Sequence, residues 1–203
     1  KGYGEAEQTI QKSRFITYVN RVESEEEAIS FIQTIKKKHW DATHNCSAYI
    51  VDDMAQRSSD DGEPSGTAGL PMLEVLRKNK LTNTAAVVTR YFGGIKLGAG
   101  GLVRAYTNSV AEAVRATGIA QKVLVSRFSF IYDLNEVGKI LNILYQQQLF
   151  EIADVEYGLQ AKVILKMKDS DKESAEAWLT ESLNKTIVLE REGSEFIEVP
   201  LER

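Results

Sequence analysis

Cysteine is nearly absent from this 203-residue chain: Cys46 stands alone, so no disulfide can close within it. With only two histidines beside that cysteine, a four-ligand N/S zinc site is out of reach as well. No apolar run approaches the roughly 18 residues that a membrane-spanning helix needs. No secretory leader is recognisable, and a nearly thiol-free chain fits a reducing compartment. The expected location is therefore the cytoplasm, with no membrane partner. Proline is scarce, at three residues. No linker is rich in it, and nothing repeats at a fixed period.

Against these absences stand 43% hydrophobic and 27% charged residues, the balance of an ordinary globular protein. The net charge of −4 is unevenly spread. Residues 1–120 hold 15 Lys+Arg against 14 Asp+Glu, and residues 121–203 hold 10 against 15. Eleven of the 14 glycines also precede residue 121. This shift predicts two domains, 1–120 and 121–203, and directs any polyanion to the first.

Periodicity predicts an α+β fold. In the first part, strands are expected at 13–22, 45–51 and 84–92. A capping box at Ser24 and Glu27 opens a helix that closes on Lys36–Lys38, where cations suit the negative end of the macrodipole. Residues 52–69 read as one long loop, followed by a helix with Pro71 in its first turn. Leu102, Tyr106, Val110 and Val114 mark another helix at a spacing of four, ended by Gly118. The second part reads β-α-β-β-α-β, the ferredoxin-like pattern, with a helix capped by Ser170 and no cluster that suggests chemistry.

Acids are missing from one further stretch, and this is the strongest functional signal. Between Thr84 and Ala111 the only charged side chains are Arg90, Lys96 and Arg104. Gly93, Gly94, Gly98, Gly100 and Gly101 lie among them and lead into a helix. Glycines let backbone N–H groups approach an anion, and a helix start supplies free donors and partial positive charge. A phosphate fits such a place, although the glycines equally suit a tight turn with close packing. The Walker pattern is absent, and the dinucleotide pattern begun at Gly98 fails at Val103. Tyr91 and Tyr106 can stack bases or pack inside, whereas Phe92 is expected in the core.

Two weaker groups accompany this stretch. Asp60, Asp61 and Glu63 can hold Mg²⁺ or act as a base, and they equally suit ion pairs with Arg57, Arg90 or Arg104. His44 and Cys46, two apart on a strand, can pair to activate a thiolate; the alternative is a buried small side chain. Arg57, Ser65 and Thr67 complete the candidate phosphate contacts. No resident metal or cofactor is expected beyond that Mg²⁺ alternative.

His44-x-Cys46-x-Ala48, Arg57 through Gly69, Thr89 through Gly98, and Arg104-Ala105-Tyr106 together resemble the signature of the YigZ/YvyE/Impact family. The resemblance implies an N-terminal domain of the ribosomal-protein-S5 second-domain type. It also implies a C-terminal ferredoxin-like domain resembling a late domain of elongation factor G. Eukaryotic relatives regulate translation by competing for a ribosome-associated activator of a stress kinase. The expectation is a non-enzymatic RNA- or ribosome-binding protein linked to translation control, where a protein partner also has a place. The alternative is an enzyme acting on a phosphorylated small molecule or nucleotide.

Overall fold

The computed structural model describes residues 2–201. The chain forms two compact units: one runs to Ala120 and also includes the stretch from Pro200, and the other is Gln121–Val199. No helix among the described residues is long and apolar enough to cross a membrane.

In chain order the first unit contains β1 (Tyr3–Ile10), β2 (Ser13–Arg21), α1 (Glu25–Lys38), β3 (His44–Ile50), β4 (Gln56–Ser59), α2 (Gly69–Lys78), β5 (Thr84–Tyr91) and α3 (Gly98–Thr117). The strands form one sheet in the order β1-β2-β5-β3-β4, with every neighbouring pair antiparallel. The central strands β2, β5 and β3 are buried on both faces, because helices cover both sides of the sheet. On one face Phe15, Cys46, Ala48, Ala86 and Val88 pack against Met72 and Leu76 of α2 and against Leu102, Tyr106 and Val110 of α3. On the other face Ala28, Phe31 and Ile35 of α1 meet Tyr18, Tyr49, Ala85 and Val87.

Local signals account for most of these elements. Ser24 Oγ accepts the Glu27 N–H at 3.2 Å, and the Glu27 carboxylate accepts the Glu23 N–H one residue beyond the usual capping-box partner. Pro71 lies in the first turn of α2, among the N–H positions that lack intrahelical acceptors anyway. Two strands depart from the expected pattern. β1 had no expected counterpart, and β4 lies inside the stretch read as one loop.

The second unit runs β6 (Ala120–Tyr132), α4 (Val137–Leu144), β7 (Glu151–Tyr157), β8 (Ala161–Met167), a 3₁₀ turn (Asp169–Asp171), α5 (Lys172–Leu183) and β9 (Glu190–Pro200), in the sheet order β7-β8-β6-β9. Phe128, Phe130 and Tyr132 alternate inward to meet Ile140, Leu144 and Leu179. Ser170 does not cap α5. It sits inside the 3₁₀ turn and donates to Asp171, so the helix starts without a side-chain cap.

Candidate functional site

The expected site residues gather near one end of the first unit's sheet, where β5 ends and β2 and β3 begin. Strand alternation then separates them. Arg90 lies between Phe15 and His44 as their register partner, on the face covered by α2 and α3. Tyr91, one residue on, points to the α1 face. The two side chains expected to act together are thus on opposite sides of the sheet.

Arg90 is committed inside the protein. It is 5% exposed, and its Nη1 donates to Glu63 Oε1 at 2.7 Å. Its Nη2 reaches Ser13 Oγ at 3.3 Å, and the rings of Phe15 and Phe92 flank the guanidinium at 5.5 and 5.4 Å. Its buried Nε has no hydrogen-bond partner among the described residues. Glu63 also accepts the Tyr106 hydroxyl at 2.8 Å, and His44 Nε2 lies 3.7 Å from its other oxygen. This fully desolvated pair takes Arg90 out of the expected phosphate site. Tyr106, with no exposed surface, cannot stack on a base. Burial, then the neighbouring Cys46 and Glu63, pushes its hydroxyl pKa far up.

The His44–Cys46 pair is not a nucleophile. The Cys46 Sγ is fully buried and donates to the Asp60 carbonyl at 2.9 Å, and burial pushes its pKa up to about 12. His44 Nδ1 faces the Asp61 carbonyl at 2.9 Å, so that nitrogen carries the proton and orients the ring toward the loop.

The three acids of the 60–63 stretch point in three directions. Asp60 accepts the N–H groups of Gly66, Ala68 and Gly69 at 2.9, 3.1 and 2.8 Å. Burial opposes its ionisation, but these three donors outweigh burial and hold its pKa below the usual value. Asp61 accepts the Asn45 N–H at 2.7 Å and pairs with Lys36 at 2.5 Å. Glu63 faces Arg90. Their oxygens do not converge, and among the described residues no three metal-ligating side chains cluster. The Mg²⁺ reading therefore loses its ligand set. Thr67 is buried with its hydroxyl donated to Pro64, while Ser65 stays exposed. Arg57 pairs across the sheet with Tyr49 and lines a groove of about 440 Å³ with Ile29, Ile32 and Lys36, on the α1 face and away from the glycine turn.

The glycines divide by task. A Cβ on Gly93 would fall 2.0 Å from the Lys12 backbone, so this glycine lets the β1–β2 turn lie against the end of β5. Its N–H donates to Ser13 Oγ at 3.2 Å. Gly94 and Gly98 have φ of +85° and +72°, and Gly101 packs on Leu97. Close packing and turning thus occupy four of the five. What remains open is the start of α3: residues 98–100 are exposed, no side chain among the described residues caps the helix, and its first turn holds no acid. Beside it Lys96 and Arg104 are exposed and have no partner among the described residues.

Three residues at this end were not anticipated. Phe92 is 46% exposed rather than in the core. Trp40, in the turn after α1, is 83% exposed. Lys12 sits exposed in the β1–β2 turn against Gly93. The turn holding Trp40 is stitched to β5, since the Thr43 N–H donates to the Arg90 carbonyl and the Phe92 N–H to Thr43 Oγ1, both at 3.0 Å. Behind it His39 lies between Tyr18 and Tyr91 at 2.7 and 2.8 Å, and Tyr91 in turn donates to Asp41 at 3.2 Å. Because Tyr91 gives its proton to Asp41, it accepts from His39 Nδ1, and Nε2 accepts from Tyr18. Burial, then nearby Lys38, lowers the His39 pKa and keeps the ring neutral. The one sequence signal for Trp40 is its place in a turn, outside any apolar periodicity.

The chain is similar to known proteins over most of its length. The Impact N-terminal domain model matches residues 11–114, the stretch that holds every residue of the site. The IMPACT family member YvyE of Bacillus subtilis is 48% identical, over 91% of this chain and 85% of its own length. An IMPACT family member of Haemophilus influenzae is 38% identical, over 91% of each. A crystal structure of a hypothetical protein, 31% identical, superposes with a TM-score of 0.58 over 93% of both chains. The chain belongs to the IMPACT family.

Proposed function

We propose that this protein is a non-enzymatic, cytoplasmic nucleic-acid- or ribosome-binding factor linked to the regulation of translation. In this reading the first unit is the S5-type domain and holds the ligand, and the second is a ferredoxin-like domain. The phosphates meet the open start of α3 together with Lys96 and Arg104. Lys12, across the Gly93 contact, adds a third cation. The carrying observation is the uncapped, acid-free start of α3 beside two exposed cations that have no partner among the described residues. An unpaired helix start carries about half a positive charge, and it sits where the two side chains add two more. The translation link is carried by family membership. A protein partner in translation control is compatible with the same surface.

The enzyme reading is less well supported. Its base or metal ligands were to be Asp60, Asp61 or Glu63, and each carboxylate is already used by the protein itself. The test is binding of a fluorescent single-stranded RNA at several salt concentrations. With three phosphate contacts, affinity falls about 15- to 20-fold between 50 and 200 mM salt. Binding that ignores salt, or that survives Lys96→Ala with Arg104→Ala unchanged, rules the proposal out.

A further inference from the structure

We infer that Trp40 is a stacking platform for an unpaired base, so that the ligand of this surface is single-stranded rather than duplex nucleic acid. The inference rests on the phosphate-binding reading above and adds to it a residue and a class of ligand.

A single exposed apolar side chain needs no explanation by itself. Trp40 differs in how it is held. The residue before it, His39, is buried and fixed through both ring nitrogens by Tyr18 and Tyr91. The His39 carbonyl accepts both the Ala42 N–H and the Asn45 side-chain amide, at 3.1 Å each. Thr43 is bonded to Arg90 and Phe92. The backbone on either side of Trp40 is therefore fixed while the indole itself projects into solvent. Such an arrangement loses little conformational entropy when a flat partner settles on the ring. Phe92, on the strand end to which this turn is stitched, offers a second half-exposed ring.

Charge selects the flat partner. Lys12, Lys96 and Arg104 are exposed and have no partner among the described residues. Lys12 lies against Gly93, and Lys96 and Arg104 flank the start of α3, which follows the β5 end to which the Trp40 turn is bonded. Asp41, the acid next to Trp40, already accepts the Tyr91 hydroxyl. Cations beside exposed aromatic rings match a chain that alternates phosphates with bases. A duplex hides its base faces in the stack and leaves Trp40 nothing to cover, so stacking discriminates between the two forms.

The experiment uses the full chain carrying Trp178→Phe, which leaves Trp40 as the only tryptophan. The probes are a twelve-nucleotide oligouridylate, a twelve-base-pair RNA duplex, intact small ribosomal subunits and protein-free ribosomal RNA. The expected result is quenching of Trp40 emission by the oligouridylate and not by the duplex. In the same series Trp40→Ala weakens oligouridylate binding about 5- to 150-fold, with the salt slope and the melting temperature unchanged, and Trp40→Phe restores most of the loss. Salt-dependent oligouridylate binding without quenching, and equal for Trp40→Ala, overturns the stacking inference and leaves the phosphate reading intact. No binding of either RNA overturns both. An emission change with intact subunits but not with protein-free ribosomal RNA assigns Trp40 to a protein partner and also overturns the inference.

Discussion

Residues 57–69 and 89–106 are alike in the sequence in two respects: both are rich in glycine, and both carry the family resemblance. The fold uses them in opposite ways. In the first, the carboxylates of Asp60, Asp61 and Glu63 turn inward and hold backbone amides, a lysine and a buried arginine. In the second, Arg90 and Tyr106 turn inward to meet Glu63, while Lys96, Arg104 and the start of α3 face outward. One stretch builds the end of the sheet, and half of the other presents it. A shared signature therefore mixes residues that make the surface possible with residues that touch a ligand, and substitution separates the two.

The largest effect is expected at Glu63. Glu63→Gln keeps the shape but leaves the Arg90 guanidinium buried without an opposite charge, which costs about 3–5 kcal/mol of stability in urea unfolding. RNA affinity, measured where the variant is folded, stays within about twofold, since Glu63 faces inward. A loss under 1 kcal/mol would mean that water reaches Arg90, and the division between building and presenting residues would fail. Asp60→Ala comes next, at about 0.5–2 kcal/mol, because the amides of Ala68 and Gly69 at the start of α2, and of Gly66 in the loop before it, lose their acceptor. Its pH dependence has a definite sign. The folded pKa of Asp60 lies below the ordinary 3.8, so its contribution is complete above 3.8 and is lost as pH falls through the folded value. Acid unfolding of the wild type should therefore be steeper than that of Asp60→Ala. Tyr106→Phe follows at about 1 kcal/mol, since it removes one donor from Glu63 and leaves Arg90 in place.

Much of this was legible in the sequence, and some of the rest could have been. The capping box of α1, strand β5 and helix α3 announce themselves through local chemistry and period. The same period places Tyr106 on the stripe with Leu102 and Val110, which implies burial, and strand alternation puts Arg90 and Tyr91 on opposite faces. Strands β1 and β4 were hidden for a physical reason. β1 is an edge strand, half-exposed at alternate positions, and its Gly4, Glu5 and Glu7 lack strand propensity. β4 is four residues of Gln-Arg-Ser-Ser stabilised by pairing with β3 rather than by its own side chains. The pairing of Glu63 with Arg90 spans 27 positions, and nothing local distinguishes it from the other acid–cation pairs on offer. Ser170 shows the opposite failure, a sound cap signal displaced by one turn of 3₁₀ helix.

The smallest stability effect belongs to the outward-facing cations, and it sharpens the comparison most. Lys96 and Arg104 are exposed and have no partner among the described residues, so replacing both by alanine should leave urea unfolding within about 0.5 kcal/mol of wild type. The whole consequence should instead appear in binding. On single-stranded RNA each removed phosphate contact lowers the slope of log affinity against log salt by about 0.7, and the loss is uniform across RNA sequences because phosphates carry no sequence information. The double variant is thus the mirror of Glu63→Gln: stability unchanged with affinity lost, against stability lost with affinity unchanged. Were the double variant to unfold more easily as well, its cations would be paired within the protein, and the open start of α3 would be a feature of packing rather than of recognition.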